Sequence, residues 1–176
     1  MNIEQLKFPI GKLNYNRLAE KSTIKEWIHI IENFPDMLAN EINNLSEHEL
    51  NYKYRPNGWT IKQVVAHCLD SHTNSVFRFK VTLTENNPVI KPYDEAAWAK
   101  LIDTTDYDID NLLQGLYHLH KRWAFLLHRL DDKQLNRTFF HPESNETINL
   151  KENIYIYAWH SKHHLQHIIN AKKFTY

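Results

Sequence analysis

Four long segments in which apolar residues recur at helical spacing constrain the fold of this chain more than any other feature. In the first, the apolar residues of TIKEWIHIIENF return every three or four positions, which is the period of one face of an α-helix. The other three follow Thr60, Asp108 and Asn149, whose side chains can cap a helix N-terminus. We therefore predict four long helices, spanning about residues 22–42, 60–84, 108–130 and 149–172.

The connections between these segments show little strand pattern. Pro35 lies inside the first segment and is expected to kink or interrupt its helix. Pro142 and the turn-like sequence ESNE predict a loop or a small hairpin between residues 131 and 149. We predict an all-α fold, a four-helix bundle with long connections that forms a single domain over residues 1–176.

Composition argues against several classes of function. Lys and Arg total 21, as do Asp and Glu, and no long basic run is present, so nucleic-acid binding is not expected. No window approaches the roughly 20 apolar residues of a membrane span, and the N-terminus lacks the apolar core of a signal peptide. With only three glycines, the chain has no glycine-rich motif for binding phosphate. The single cysteine, Cys68, suits a reducing compartment, and we expect a cytoplasmic protein.

Histidine is the residue type that points to chemistry. The chain has twelve, and four of them fall between residues 160 and 167. His160 and His164 lie one helical turn apart, so both imidazoles can aim at one point. On a helical wheel they lie roughly 70° to 110° from the apolar centre, whereas His163 and His167 lie roughly 130° to 170° away. The pattern favours His160 and His164 as metal ligands, with His163 and His167 supporting them or lying at the surface.

A third ligand has to come from another helix, and the residues alone leave two candidates. His72 lies near the middle of the apolar face of the second helix. His67 belongs to a polar stripe with Ser71, Asn74 and Arg78, which is typical of a solvated surface or of the wall of a wet pocket. Zinc held by three protein ligands keeps one position open, which distinguishes a catalytic site from a structural one.

The remaining candidates are weaker. Cys68 lies on the apolar face and is expected to pack in the core. Asp70 is expected at the helix surface, and no general base can be assigned. Apolar and aromatic residues outside the core face of the last helix, Tyr155, Ile156 and Trp159, favour an interface between two copies of the chain.

Longer motifs extend over nearly the whole chain. They are PIGKL, YRPNGWTIKQVVAHCLDSHTNSVFRFK, LTENNPVIKPYDEAAWAKL, LHKRWAFLL, FFHPE and YAWHSKHHLQHI. Together they resemble the YfiT group of bacillary proteins within the DinB-like superfamily. The resemblance implies a four-helix bundle that binds one divalent metal per subunit through His67, His160 and His164. The match at AHCLDSH selects His67 over His72, and the resemblance also implies a cytoplasmic homodimer.

The resemblance implies a metal-dependent hydrolase that acts on a small molecule, with zinc, or alternatively nickel, activating a bound water. A second hypothesis is a thiol S-transferase, because related DinB-like proteins are associated with the transfer of low-molecular-weight thiols such as bacillithiol. A metal ion deprotonates a coordinated thiol, so such a site needs no protein base. The third hypothesis is a non-catalytic metal-binding protein associated with stress, which predicts no turnover with any substrate.

Overall fold

The computed structural model describes residues 2–14 and 21–176. In chain order its helices are α1 (Ile3–Lys7), α2 (Lys21–Ile42), α3 (Ile61–Thr84), α4 (Glu95–Trp98), α5 (Ile102–Thr105), α6 (Ile109–Leu127), α7 (Asp132–Leu135) and α8 (Leu150–Phe174). A 3-10 turn spans Glu49–Asn51, and two strands, β1 (Thr138–His141) and β2 (Glu146–Asn149), precede α8. The four long helices occupy the segments that the apolar spacing predicts.

Capping residues set the start of three of the four long helices. Thr60 and Asn149 each form a capping box with the residue three positions further on, which satisfies two backbone amides at the helix end. The Asp108 carboxylate accepts the amide proton of Asn111 at the start of α6. The predicted starts of α3, α6 and α8 are therefore confirmed.

The four long helices pack as a bundle in which α2 and α3 each contact both α6 and α8. This arrangement confirms the predicted four-helix bundle. The antiparallel hairpin of β1 and β2 fills the segment where a loop or hairpin was expected. Phe140 in β1 exchanges backbone hydrogen bonds with Pro88 and Ile90, so the hairpin is tied to the connection that follows α3.

Pro35 does not interrupt α2, which continues through it to Ile42. The expected interruption is therefore wrong. A proline inside a helix lacks the N–H that would bind the carbonyl four residues earlier, so the Ile31 carbonyl loses its helical donor. The packing of α2 against α6 and α8 outweighs that loss.

Two apolar clusters fill the bundle, and histidines lie between them. On α8 the first cluster uses residues 150–158 and the second uses residues 168–171, with four histidines in the intervening turns. Cys68 belongs to the second cluster and is fully buried, which confirms its predicted role in the core. The buried histidines of the bundle are His67, His72, His120, His163, His164 and His167.

The residues expected to form an interface on α8 are covered by this chain itself. Tyr155 and Ile156 are partly buried against the first apolar cluster, and the Tyr155 ring packs on Trp27. Trp159 is half-buried and stacks on His163 at 4.4 Å between ring centroids. The full exposure inferred from the wheel is therefore wrong, because Trp27 of α2 packs on Tyr155, the first cluster packs on Ile156 and His163 packs on Trp159. Within the two described stretches of chain, no helix has the length and apolar character needed to cross a bilayer.

Candidate metal centre

Three histidines from two helices meet between the apolar clusters. His67 projects from α3, and His160 and His164 project from successive turns of α8. One ring nitrogen of each lies within 4.8 Å of a nitrogen of each of the others. Nε2 of His67 lies 3.2 Å from Nε2 of His160. The structure thus brings together the three residues that the resemblance selected.

The spacing of these nitrogens fits a small divalent ion. Zinc binds imidazole nitrogen at about 2.0–2.1 Å, and two ligands of one tetrahedral ion are then about 3.3 Å apart. The 3.2 Å between His67 and His160 is close to that value. Three imidazoles leave a fourth tetrahedral position for water or substrate.

The electrostatics of the site keep all three rings neutral. Burial lowers the pKa of His67 to about 4, with repulsion from His163 adding to the effect. Burial also holds the pKa values of His160 and His164 well below their ordinary value, and the neighbouring histidines lower them further. A neutral imidazole has the free lone pair that a metal requires, so the donor set is ready near neutral pH.

His160 is held from behind by two further buried histidines. Its Nδ1 lies 2.9 Å from Nε2 of His72, and Nδ1 of His72 lies 2.7 Å from Nε2 of His120. This series of hydrogen bonds ends where Nδ1 of His120 donates to the Ile31 carbonyl. These contacts leave Nε2 of His160 on the side that faces His67.

His164 is held in a similar way by His167. The two Nδ1 atoms lie 3.3 Å apart, and Nε2 of His167 lies 3.2 Å from the carbonyl oxygen of Lys7 at the end of α1. The Tyr54 ring stacks on His167 at 3.8 Å between centroids, which restricts its rotation. His167 therefore holds the ring of the candidate ligand His164. Both His163 and His167 are buried, so the alternative prediction that they lie at the surface is wrong.

A pocket of about 220 Å³ opens in front of the three histidines. Aromatic rings form much of its wall, including Phe8, Tyr54, Trp59 and Trp159. Glu95, from α4, is the one carboxylate among the pocket residues described. It also borders a larger open cleft of about 590 Å³ together with Glu143, so it stands where the cleft meets the histidine pocket.

Partial burial raises the pKa of Glu95, and repulsion from Glu143 adds to the shift, while Arg78 opposes it. A carboxyl group with a raised pKa beside a metal pocket suits proton transfer. No sequence pattern pointed to Glu95, because its position depends on the connection between α3 and α6.

Other candidates lie away from this pocket or have another role. Asp70 is half-buried with its pKa raised to about 6, and it lines a separate cavity with Asp103. His118 is exposed, and His128 pairs with Glu32 at the surface.

Sequence reasoning missed the supporting roles of His72 and His120. The available signals were a histidine in the middle of an apolar face and a proline that frees a helix carbonyl. A buried polar group requires a hydrogen-bond partner, so His72 on an apolar face and the carbonyl freed by Pro35 each predict a buried hydrogen bond.

Comparison with known proteins gives consistent results. The family model described as "DinB superfamily" matches residues 30–168. A protein of Oceanobacillus iheyensis, named "Putative metal-dependent hydrolase", is 46% identical over 167 residues, which cover 95% of this chain and 96% of that protein. A Bacillus cereus protein with the same description is 45% identical over 171 residues, covering 97% and 98% of the two chains.

A solved structure agrees over nearly the full length. YfiT from Bacillus subtilis, described as "a probable metal-dependent hydrolase with an unusual four-helix bundle topology", superposes with a TM-score of 0.93 at 40% identity. The match covers 96% of this chain and 97% of that chain. Both the bundle and the resemblance that the motifs carried are confirmed.

Proposed function

This chain belongs to the DinB superfamily, and we propose that it is a metal-dependent hydrolase whose ion is held by His67, His160 and His164. The convergence of three neutral imidazoles in front of a pocket carries the proposal. The names of its relatives support the same class of reaction. Imidazole suits both zinc and nickel, and we propose zinc as the ion and a small molecule as the substrate.

A divalent ion held by these three residues would lower the pKa of a bound water to about 7 and would polarise a carbonyl or phosphoryl oxygen. His67, His160 and His164 contribute neutral nitrogens from a rigid helical frame. The aromatic rings of the pocket wall offer an apolar surface against which a small substrate can pack. Glu95 lines the pocket wall, where it would accept a proton from the attacking water and return it to the leaving group.

The metal centre is tested by elemental analysis of purified protein beside the variants His67→Ala and His160→Ala. We expect about one divalent ion per chain in the unmodified protein and loss of most of it in both variants, since each removes one of three ligands. His118→Ala is the matched control, because it removes an exposed histidine from the same bundle. Full metal retention in both ligand variants would contradict the proposed centre.

The reaction class is tested with a panel of esters, amides and phosphoesters, with and without an added low-molecular-weight thiol. We expect product without thiol, and loss of activity in His160→Ala. A product that forms only with thiol, together with no hydrolysis, would assign a thiol transferase and refute the hydrolase. No turnover in either arm by metal-loaded protein would favour a non-catalytic metal-binding protein.

A further inference from the structure

Two chains of hydrogen-bonded histidines lead away from the candidate metal centre. We propose that they lock His160 and His164 in the tautomer that presents an unprotonated Nε2 to the ion. The inference rests on the proposed metal centre but not on the reaction it catalyses. It assigns a positioning role to residues outside the ligand set, namely Pro35, His72, His120 and His167.

The direction of the first chain is fixed at its inner end. The Ile31 carbonyl can only accept, so the proton of His120 is on Nδ1. A neutral imidazole carries one N–H, and therefore Nε2 of His120 accepts. Its partner 2.7 Å away is Nδ1 of His72, which must be the donor.

The same rule, one N–H for each neutral imidazole, fixes the proton positions of His72 and then of His160. Because Nδ1 of His72 carries the proton, Nε2 of His72 accepts from Nδ1 of His160 at 2.9 Å. Nε2 of His160 is left with its lone pair, and it is this nitrogen that lies 3.2 Å from Nε2 of His67. One backbone carbonyl thus determines, through two intervening rings, which nitrogen of His160 can bind a metal.

Pro35 accounts for the availability of that carbonyl. In an uninterrupted helix the amide of residue 35 would donate to the Ile31 carbonyl, but proline has no amide proton. The freed oxygen accepts from His120 on α6 instead. A residue that weakens α2 as a helix therefore supplies the fixed end of the chain.

The second chain is shorter and follows the same logic. Lys7 is the last residue of α1, and Gly11, whose amide would bind its carbonyl in a longer helix, donates to Phe8 instead. The Lys7 carbonyl accepts from Nε2 of His167, which places the lone pair of His167 on Nδ1. Nδ1 of His164 must then donate to it at 3.3 Å, and Nε2 of His164 is unprotonated.

Both chains end on a helix carbonyl that lacks a donor within its own helix. A reversed tautomer at any link would set two N–H groups or two lone pairs against each other in a buried place. Holding the second nitrogen of a ligating histidine fixes its ring and raises its basicity, and loss of such a partner typically costs about 10- to 100-fold in metal affinity.

The tautomers are read directly by long-range proton–nitrogen NMR of histidine-labelled protein in the presence of a chelator. We expect the proton on Nδ1 in His72, His120, His160 and His164. We expect it on Nε2 in His167, the one member of the two chains with the opposite assignment. A proton on Nε2 of His160 or of His164 would overturn the proposal even if the protein binds metal.

A matched pair of substitutions tests the first chain by affinity. His72→Phe keeps a ring but removes the acceptor for His160, and we expect zinc affinity, measured by competition with a chromophoric chelator, to fall about 10- to 100-fold. His72→Gln restores an acceptor near the same position and should recover most of that loss. Equal zinc affinities for the two variants would overturn the positioning role of His72.

Pro35→Ala tests the origin of the chain without touching a histidine. The new amide competes with His120 for the Ile31 carbonyl, while alanine favours the helix more than proline does. We expect zinc affinity to fall several-fold, with a mixture of tautomers at His120 and a thermal midpoint in chelator that is not lowered. Unchanged affinity with the Nδ1 tautomer of His120 intact would show that Pro35 has no part in the chain.

Discussion

Acidification should destabilise this protein through His120 by an amount that one substitution isolates. Burial lowers the pKa of His120 from 6.5 to about 4, although its hydrogen bond to the Ile31 backbone opposes the shift. The unfolded chain takes up a proton at this residue near pH 6.5, whereas the folded chain does so near pH 4. The contribution of neutral His120 to the free energy of unfolding is therefore complete above pH 6.5 and is lost as the pH falls toward 4.

The size of the effect follows from the width of that window. One pKa unit corresponds to about 1.4 kcal/mol, so the whole shift is worth roughly 3 kcal/mol. Between about pH 7.5 and about pH 5.5 only the first unit of the window is crossed, and the loss is about 1 kcal/mol. The His120 side chain is fully buried, so solvent screening does not reduce this figure appreciably.

The measurement compares unmodified protein with His120→Phe by urea unfolding, followed by circular dichroism in the presence of a chelator. The variant is less stable at pH 7.5, because the Ile31 carbonyl and Nδ1 of His72 both lose their partner. We expect the difference in free energy of unfolding to shrink by about 1 kcal/mol between pH 7.5 and pH 5.5.

His118→Phe provides the control on the same helix. Its side chain is exposed in the folded protein, so His118→Phe matches the change of residue type on α6 without removing a buried hydrogen bond. A gap between unmodified protein and His120→Phe that stays constant or widens on acidification would refute the reasoning. That result would mean that folding does not disfavour the charged ring of His120.

Three further outcomes test the site and its frame. Glu95→Gln should lower the turnover of any hydrolysed substrate by about 100-fold or more, since Glu95 would move a proton. Zinc affinity should stay within about two-fold because Glu95 is not a proposed ligand, and a parallel loss of zinc would refute this separation of roles. Zinc at about 100 times its dissociation constant should raise the free energy of unfolding by about 2.7 kcal/mol, and calorimetry of His160→Ala should show no such gain. Burial raises the pKa of the Cys68 thiol, so a colorimetric thiol reagent should not label it until the protein is unfolded in urea, and rapid labelling of folded protein would contradict its place in the core.

Much of the helical frame could be read from the sequence, because the signals are local. A capping side chain and its partner lie three residues apart, as Thr60 and Gln63 do, and the apolar period is set within one segment. The pairing of His160 with His164 is local for the same reason, since one helical turn brings both rings to the same side. Pro35 is the exception, because the cost of the missing hydrogen bond is local while the packing that outweighs it is not.

The helical wheel left both His67 and His72 possible as the third ligand, and the family resemblance selected His67. How the two rings lie around His160 is visible only in the tertiary structure. Both contact His160, but from opposite sides: His72 binds its Nδ1, and His67 faces its Nε2. Which nitrogen each one meets depends on how far α3 is rotated and shifted against α8. No spacing within α3 contains that information.

The sequence by itself therefore determined four helices, a candidate ligand pair on the last of them and the family to which the chain belongs. Only the tertiary structure decided how Ile31, His120, His72 and His160 connect across four helices. The physical reason is the distance along the chain between the residues that interact. Periodicity and capping are set by neighbours in the chain, whereas the proton on a buried imidazole is set by whichever acceptor another helix brings to it, here a carbonyl 89 residues from His120.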